Sequence, residues 1–337
     1  MTITLILLIV VILITLVFEY INGFHDSANA IATVVSTKVL TPRTAVIYGA
    51  LLNFGGALLG THVASTIGKG MVDTGSVTQM VILCALLSAI IWNLFTWFYG
   101  LPSSSSHALI GGLIGAVIVH TGIHSVHMTG VYNKVLIPMV LSPIIGLSMG
   151  FIVMFILLRI FHKANPEKIN KYFRKMQLLS SGLMALSHGS NDAQKTMGII
   201  TLALFSAGIL KEFTIPLWVV ITCAFVMALG TMAGGWKIIR TMGSKVIKLK
   251  PIHGFAAETS AAAVILTASH FGIPVSTTHV ISTSIMGVGT TQRASAVKWS
   301  VVSNIVMAWV FTIPATLSLA GIIYFLISSV AKLPVHF

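Results

Sequence analysis

Charged residues are scarce in this chain of 337 residues, and acidic residues are the scarcest of all. Only 8% of the residues are charged and seven are acidic, whereas a soluble domain carries roughly a quarter charged residues. Mean hydropathy is +0.97, and apolar runs such as Thr2–Phe18 and Val77–Leu101 recur along the chain. A membrane-spanning helix needs about 20 such residues. The composition therefore excludes a water-soluble globular domain and predicts an all-α polytopic membrane protein.

Cysteine is almost absent, and what there is excludes a disulfide framework. Cys84 and Cys223 both lie inside apolar runs, where we interpret them as small packing residues. The net charge of +13 would suit a nucleic-acid partner, but Lys and Arg cluster in short connections such as residues 162–175 and 237–250. That pattern is typical of cytoplasmic loops, and the chain has no polar domain to hold nucleic acid. We predict a multi-pass location in the cell membrane, with the lipid bilayer as partner and no nucleic acid.

Two short motifs occur twice. LPSSSSH at residues 101–107 matches IPVSTTH at residues 273–279, and a glycine-containing apolar stretch follows each. GFHDSANA at residues 23–30 matches GSNDAQKT at residues 189–196 in the same order. The members of each pair lie about half a chain apart. The sequence therefore consists of two tandem copies of one unit.

The basic stretch near the middle of the chain gives the boundary between the copies. We predict a first repeat at residues 1–161, a basic cytoplasmic connecting loop at residues 162–176 and a second repeat at residues 177–337. An odd number of crossings in each copy makes the repeats inverted, the usual design of secondary transporters, with a site where broken helices of both repeats meet. We expect about ten to twelve membrane segments, some of them broken or re-entrant half-helices.

Hydroxyl groups follow a proline in both copies of the first motif. Pro102 and Pro274 lack an N–H group and interrupt the apolar stretch, and serine and threonine after a break are good helix N-caps. The helix starts so predicted offer free N–H groups and hydroxyl donors to an anion. The alternative is that these hydroxyls only bond to backbone carbonyls of their own helices. The predicted anion-binding residues are Ser103, Ser104, Ser105, Ser106, Ser276, Thr277 and Thr278.

Two aspartates lie in the middle of apolar sequence, where an ionisable residue is functional by default. Asp26 has Asn29 one helical turn later, and Asn191 precedes Asp192. Carboxylate and amide oxygens are ligands for hard cations, and nearby glycines would allow local unwinding that frees backbone carbonyls. The alternative is that each aspartate pairs with a lysine and only fixes packing. An anion joining two aspartates must be accompanied by cations or protons, which predicts symport.

Two glutamates also lie within or beside apolar sequence. Glu258 lies in an apolar helix and can relay protons or line the cavity, or can simply pair with a polar neighbour. We include it among the coupling residues. Glu19 precedes the first aspartate motif and is similar, but lies nearer the end of a span.

The pair GFHDSANAIATVV and HGSNDAQKTMGII, together with LPSSSSH and IPVSTTH, resembles the PiT (Pho4) family of inorganic phosphate transporters over nearly the whole chain. The resemblance implies import of inorganic phosphate coupled to sodium or protons, an inverted-repeat helical fold and a homodimer. It also implies that Asp26, Asn29, Asn191 and Asp192 occupy the cation and phosphate positions. The hydroxyl clusters match the phosphate-binding segments.

One position departs from the family pattern. Sodium-coupled members tend to repeat Asp-x-x-Asn in both halves, but Lys195 stands here where the first copy has Asn29. We hypothesise that the Lys195 ammonium pairs with Asp192 or with phosphate and replaces one sodium ion. The protein would then rely on protons, with a neutral metal–phosphate complex as a variant of the cargo. The alternative is that Lys195 extends away and leaves a sodium site intact.

Other functions remain open at this point. An intramembrane hydrolase needs one nucleophile and its base, not a duplicated set of Ser and Thr, so we predict that the chain is not an enzyme. A symporter for another tetrahedral oxyanion such as sulfate, or an anion channel, would use similar donors. We predict no cofactor and no resident metal site.

Overall fold

The structure, a computed structural model, describes residues 2–331, with the side chains of residues 4–68 and 70–330. Within this range the chain is helical, and its only β-type pairing is an isolated bridge between Val72 and Val126. The α-helices are α1 Thr2–His25, α2 Ser27–Ser36, α3 Pro42–Ala57, α4 His62–Gly70, α5 Gln79–Tyr99, α6 Ser105–Thr121, α7 Met128–Val131, α8 Ile137–Ile160, α9 Pro166–Ser206, α10 Leu217–Ala233, α11 Trp236–Arg240, α12 Pro251–His270, α13 Thr277–Thr290 and α14 Trp299–Ala331.

Several helices are long and apolar enough to cross a bilayer. Four pass by themselves: Thr4–Ser36, Gln79–Tyr99, Met128–Ile160 and Trp299–Val330. Two further spans are bent pairs, α3 with α4 at 73° and α10 with α11 at 62°, which gives up to six spans in the described part of the chain. The all-α polytopic prediction is confirmed. Against the expected ten to twelve segments, some of them broken or re-entrant, the described residues give up to six spans and one shorter apolar helix, α6.

The predicted connecting loop at residues 162–176 is mostly helix. Only its first residues are irregular, because α9 begins at Pro166 and runs unbroken to Ser206. The Asn165 side chain caps this helix by accepting from the Glu167 N–H at 2.8 Å, and proline at the first helical position fits that start. The loop prediction is therefore wrong from Pro166 onward. The division into repeats stays a prediction.

Helix α9 is the central element of the fold. It packs against α3, α4, α10 and α12 as well as α1 and α2, and every residue from His188 to Leu204 is buried. Gly189 lies within this continuous helix, so the expected unwinding at that glycine is wrong. A Cβ atom at Gly189 would lie 2.1 Å from the Asn53 carbonyl oxygen, so the residue serves the close approach of α3 and α9 instead.

Both hydroxyl motifs lie where one helix stops and another starts. Helix α5 ends at Tyr99, and Gly100, which has φ of +67°, supplies the left-handed residue that caps it. Helix α6 starts at Ser105, after the irregular residues 101–104. Likewise α12 ends at His270 and α13 starts at Thr277. The broken helices predicted from the sequence are confirmed.

Candidate functional site

The two hydroxyl motifs cap their helices in the same way. The Ser104 Oγ accepts from the His107 N–H at 3.2 Å, and the Ser276 Oγ accepts from the His279 N–H at the same distance. Each serine thus satisfies one of the free N–H groups of the first turn and leaves others available. Both motifs are buried, and Ser106, the most exposed of their hydroxyl residues, is only 5% exposed. The structure therefore provides two matched, buried helix starts.

Asp26 sits at the junction of α1 and α2. It is the one non-helical residue between them, and its carboxylate Oδ1 lies 2.7 Å from His25 Nδ1. The Thr278 hydroxyl donates to the same oxygen at 3.4 Å. Although buried to 3% exposure, Asp26 thus faces the start of α13, which belongs to the other predicted repeat.

Asp192 lies in the middle of α9 and has three polar partners. Lys195, one turn later, donates from Nζ to Oδ1 in a buried ion pair. Thr277 donates to Oδ2 at 2.9 Å, and His188 Nε2 lies 3.1 Å from the same oxygen. The start of α13 therefore lies between the two aspartates, with Thr278 toward one and Thr277 toward the other.

The two aspartate motifs reach across to the hydroxyl motifs of the opposite predicted repeats. Asn29 donates from Nδ2 to Thr277 Oγ1 at 3.2 Å and to Thr278 Oγ1 at 2.9 Å. At the corresponding position Lys195 donates to the Ser106 hydroxyl and to the Val275 carbonyl at 3.0 Å. Residues of both predicted repeats thus share one buried cluster. Lys195 does not extend away from it, so that alternative is wrong.

His188 completes a group of possible cation ligands. One ligand atom each from Asp26, His188 and Asp192 lies within 4.8 Å of the others, and all three residues are buried. His188 Nδ1 lies 3.1 Å from Asn53 Oδ1, while the Asn53 amide nitrogen donates to Thr231. This network assigns the imidazole proton to Nδ1. His188 Nε2 then faces the Asp192 carboxylate and is placed to act as a cation ligand beside it.

Known proteins resemble this chain over nearly its whole length. The sequence profile of the phosphate transporter family matches residues 22–320. The chain belongs to that family. A probable low-affinity inorganic phosphate transporter of Rhizobium meliloti (strain 1021) is 49% identical over 96% of this chain and 98% of that protein. One of Bacillus subtilis (strain 168) is 47% identical over 98% of this chain and 100% of that protein.

A solved structure agrees with the fold. The sodium-dependent phosphate transporter superposes with a TM-score of 0.88 at 26% identity, over 96% of this chain and 99% of that chain. Membership of the phosphate transporter family confirms the resemblance drawn from the motifs. It also confirms that the chain is a multi-pass protein of the cell membrane and not an enzyme.

Three further predicted residues of this family member are Ser103, Ser105 and Asn191, and all three are buried. Ser103 bonds to Thr96 at 2.9 Å, beside His25, and the Ser105 hydroxyl is buried without a partner in the described residues. Asn191 donates to Ser269 at 2.8 Å. None of these three has a hydrogen bond to either aspartate among the described residues. Their binding roles stay predictions.

Glu258 lies in a separate polar cluster between α2, α9 and α12. Its Oε1 accepts from Thr33 at 2.5 Å and from Gln177 at 2.9 Å, and its Oε2 accepts from Ser180. The structure gives it no hydrogen bond to the two aspartates within the described residues. Its coupling role stays a prediction, while its partners show that it joins three helices of the transporter.

Sequence reasoning missed the two histidines. His25 directly precedes Asp26, and His188 lies four residues, about one helical turn, before Asp192. Both are 0% exposed and both lie against a site carboxylate. A signal was present, since each copy of the aspartate motif contains a histidine, but the two histidines occupy different positions in the copies and so do not align.

Proposed function

We propose that the chain imports inorganic phosphate by cation symport, at the cluster formed by Asp26, Asp192 and the starts of α6 and α13. One observation carries the proposal: two buried carboxylates and two hydroxyl-capped helix starts meet in one water-poor place. A channel needs no such carboxylates. A carrier that binds an anion together with cations does, because their charges compensate in a medium of low dielectric constant.

Donors for phosphate are supplied by both repeats. Free N–H groups in the first turn of α6 and α13 attract an anion, and the unpartnered Ser105 hydroxyl adds a donor. Lys195 already donates to Ser106 and is the one ammonium in the cluster among the described side chains. We expect phosphate to compete with Asp192 for that ammonium. Lys195 would then bind the substrate, and its ion pair with Asp192 would break when phosphate binds.

The coupling ion follows from the same lysine. Lys195 occupies the position where a second asparagine would offer a carbonyl oxygen to sodium, and its ammonium bonds to the aspartate there. A sodium ion at that position would be repelled. We therefore propose that this chain has one sodium position fewer than the repeated Asp-x-x-Asn pattern provides and that protons serve as coupling ions.

A metal–phosphate complex is a variant of the cargo that the ligand geometry supports. Asp26, His188 and Asp192 offer two carboxylates and one imidazole nitrogen within 4.8 Å. Imidazole suits transition metals better than sodium or magnesium. Asp26, His188 and Asp192 would hold a divalent ion, which would be carried together with phosphate as part of the substrate.

Uptake of labelled phosphate into proteoliposomes tests these proposals. We expect accumulation driven by an inward pH gradient in the absence of sodium, and stimulation by zinc or manganese if the complex is carried. Accumulation that occurs only with a sodium gradient would contradict proton coupling. Displacement of labelled phosphate by an equal concentration of sulfate would instead indicate a general oxyanion carrier. Single-channel currents of fixed conductance would indicate a channel.

A further inference from the structure

Glu19 is a buried carboxyl group beside the site that the mechanism above does not use. It lies on α1 seven residues before Asp26, about two helical turns, and it is 0% exposed. Thr196, the neighbour of Lys195 in the chain, donates to Glu19 Oε2. The amide of Asn22 is 3.5 Å from the same oxygen. The other oxygen, Oε1, has no partner among the described residues.

Glu19 has fewer hydrogen-bond partners than Glu258, the other buried glutamate of the described residues. Glu258 accepts three hydrogen bonds shared between both oxygens, so its negative charge is well satisfied. Glu19 accepts its hydrogen bonds through Oε2 alone, and its Oε1 has no partner among the described residues. A negative charge on this carboxyl group is therefore poorly stabilised. The Asn22 oxygen is also unpartnered. If the amide turns over, that oxygen takes the position 3.5 Å from Oε2 and accepts from a protonated Glu19.

The charges around Glu19 link it to the substrate site. The described residues that interact with it electrostatically are Asp192 and Lys195 of α9 and the Cys223 thiol of α10. In this structure Lys195 compensates Asp192. Once phosphate binds the lysine, Asp192 loses that compensation and a negative Glu19 becomes unfavourable. Uptake of one proton by Glu19 would restore the charge balance without occupying the phosphate position.

We propose that Glu19 is the residue that binds the coupling proton. This inference rests on the proposed function. The proton comes from water on the side where phosphate enters, is held on a Glu19 carboxyl oxygen while the site is closed, and is released to water on the other side after phosphate leaves. Thr196 and Lys195 are adjacent in α9, so proton binding and phosphate binding affect the same turn of one helix.

The test is Glu19→Gln, which has nearly the same shape as protonated glutamate and cannot release a proton. Two activities are compared in proteoliposomes: accumulation of labelled phosphate driven by a pH gradient, and exchange of labelled for unlabelled phosphate at equal pH. Exchange needs no net proton transfer. We expect Glu19→Gln to lose accumulation by about tenfold or more and to keep exchange.

The matched control is Thr15→Val, one turn earlier on α1, where the buried hydroxyl bonds only to its own helix at Val11 among the described residues. It should keep both activities, and Glu19→Asp should recover part of the accumulation. The proposal is overturned if Glu19→Gln still accumulates phosphate, if it folds but loses exchange as well, or if Glu258→Gln alone uncouples transport. Failure of the unaltered chain to exchange phosphate would instead overturn the proposed function.

Discussion

A single residue, Lys195, makes the two halves of the site chemically different. The first predicted repeat places Asn29 against Thr277 and Thr278, and the second places Lys195 against Ser106. The two contacts have the same plan, but one carries a neutral amide and the other a full positive charge. We infer that this asymmetry determines which ion accompanies phosphate, because only the amide leaves room for a mobile cation.

Replacing the lysine by the residue of the other repeat should change the coupling ion. In Lys195→Asn, Asp192 loses the lysine ammonium with which it is paired. A sodium ion can then bind between the Asp192 carboxylate and the new amide oxygen. We expect uptake driven by a pH gradient to fall and uptake to become stimulated by sodium, measured in proteoliposomes under each gradient.

The Lys163→Asn variant, which removes an exposed charge between α8 and α9, serves as control and should behave like the unaltered chain. Sodium-independent uptake by Lys195→Asn at the original rate would contradict the assigned role.

Thr277 is the hydroxyl that joins both aspartate motifs. It donates to Asp192 and accepts from Asn29. Thr277→Val keeps the shape but removes both hydrogen bonds. Because a hydrogen bond to a charged group contributes about 1.5–3 kcal/mol, we expect the KM for phosphate to rise by roughly tenfold or more. Thr201→Val, whose hydroxyl bonds to its own helix at Met197, should leave the KM near its original value.

At the scale of elements, α9 holds the site by packing closely on α3. Gly56 and Gly189 lie at this contact, and a Cβ at Gly56 would be 2.1 Å from the Leu186 carbonyl oxygen. At the neighbouring Gly55 the nearest atom to a new Cβ is a Leu186 methyl carbon at 3.6 Å, an ordinary contact. Two adjacent glycines on one helix thus differ sharply in how much space surrounds them.

This difference predicts unequal effects of one added methyl group. Gly56→Ala forces α3 away from α9, an overpacking that costs about 1–3 kcal/mol, and should lower the thermal unfolding midpoint in detergent and reduce transport. Gly55→Ala should leave the midpoint unchanged or raise it slightly, since alanine favours helix. Similar midpoints for both variants would show that the close approach contributes little.

The elements also show what the sequence could predict. Pro102 with its serines, and the matching segment before Ser276, carry local rules for helix breaks and caps, and the breaks lie where those rules place them. Residues 166–176 looked like a charged loop because charge patterns do not distinguish a loop from an exposed first part of a helix. The crossing of Lys195 to Ser106 is a tertiary contact, which no local pattern encodes.

At the scale of the whole molecule, the structure shows a conformation in which the site is closed. Asp26, Asn29, Asp192 and Lys195 are at most 3% exposed, so neither face of the membrane has open access to them here. Transport requires the contacts between the predicted repeats to open alternately to each side. Asn29 with Thr278 and Lys195 with Ser106 are the contacts that must change. The homodimer stays a prediction.

The central claim is that one buried cluster, shared by both predicted repeats, binds phosphate. An electron cryo-microscopy map of the purified chain in saturating phosphate tests it most directly. We predict density for one phosphate within hydrogen-bond distance of both the α6 start near Ser106 and the α13 start near Thr277, with Lys195 turned toward it. Phosphate density elsewhere, or in contact with the helix start of one repeat alone, would contradict the account.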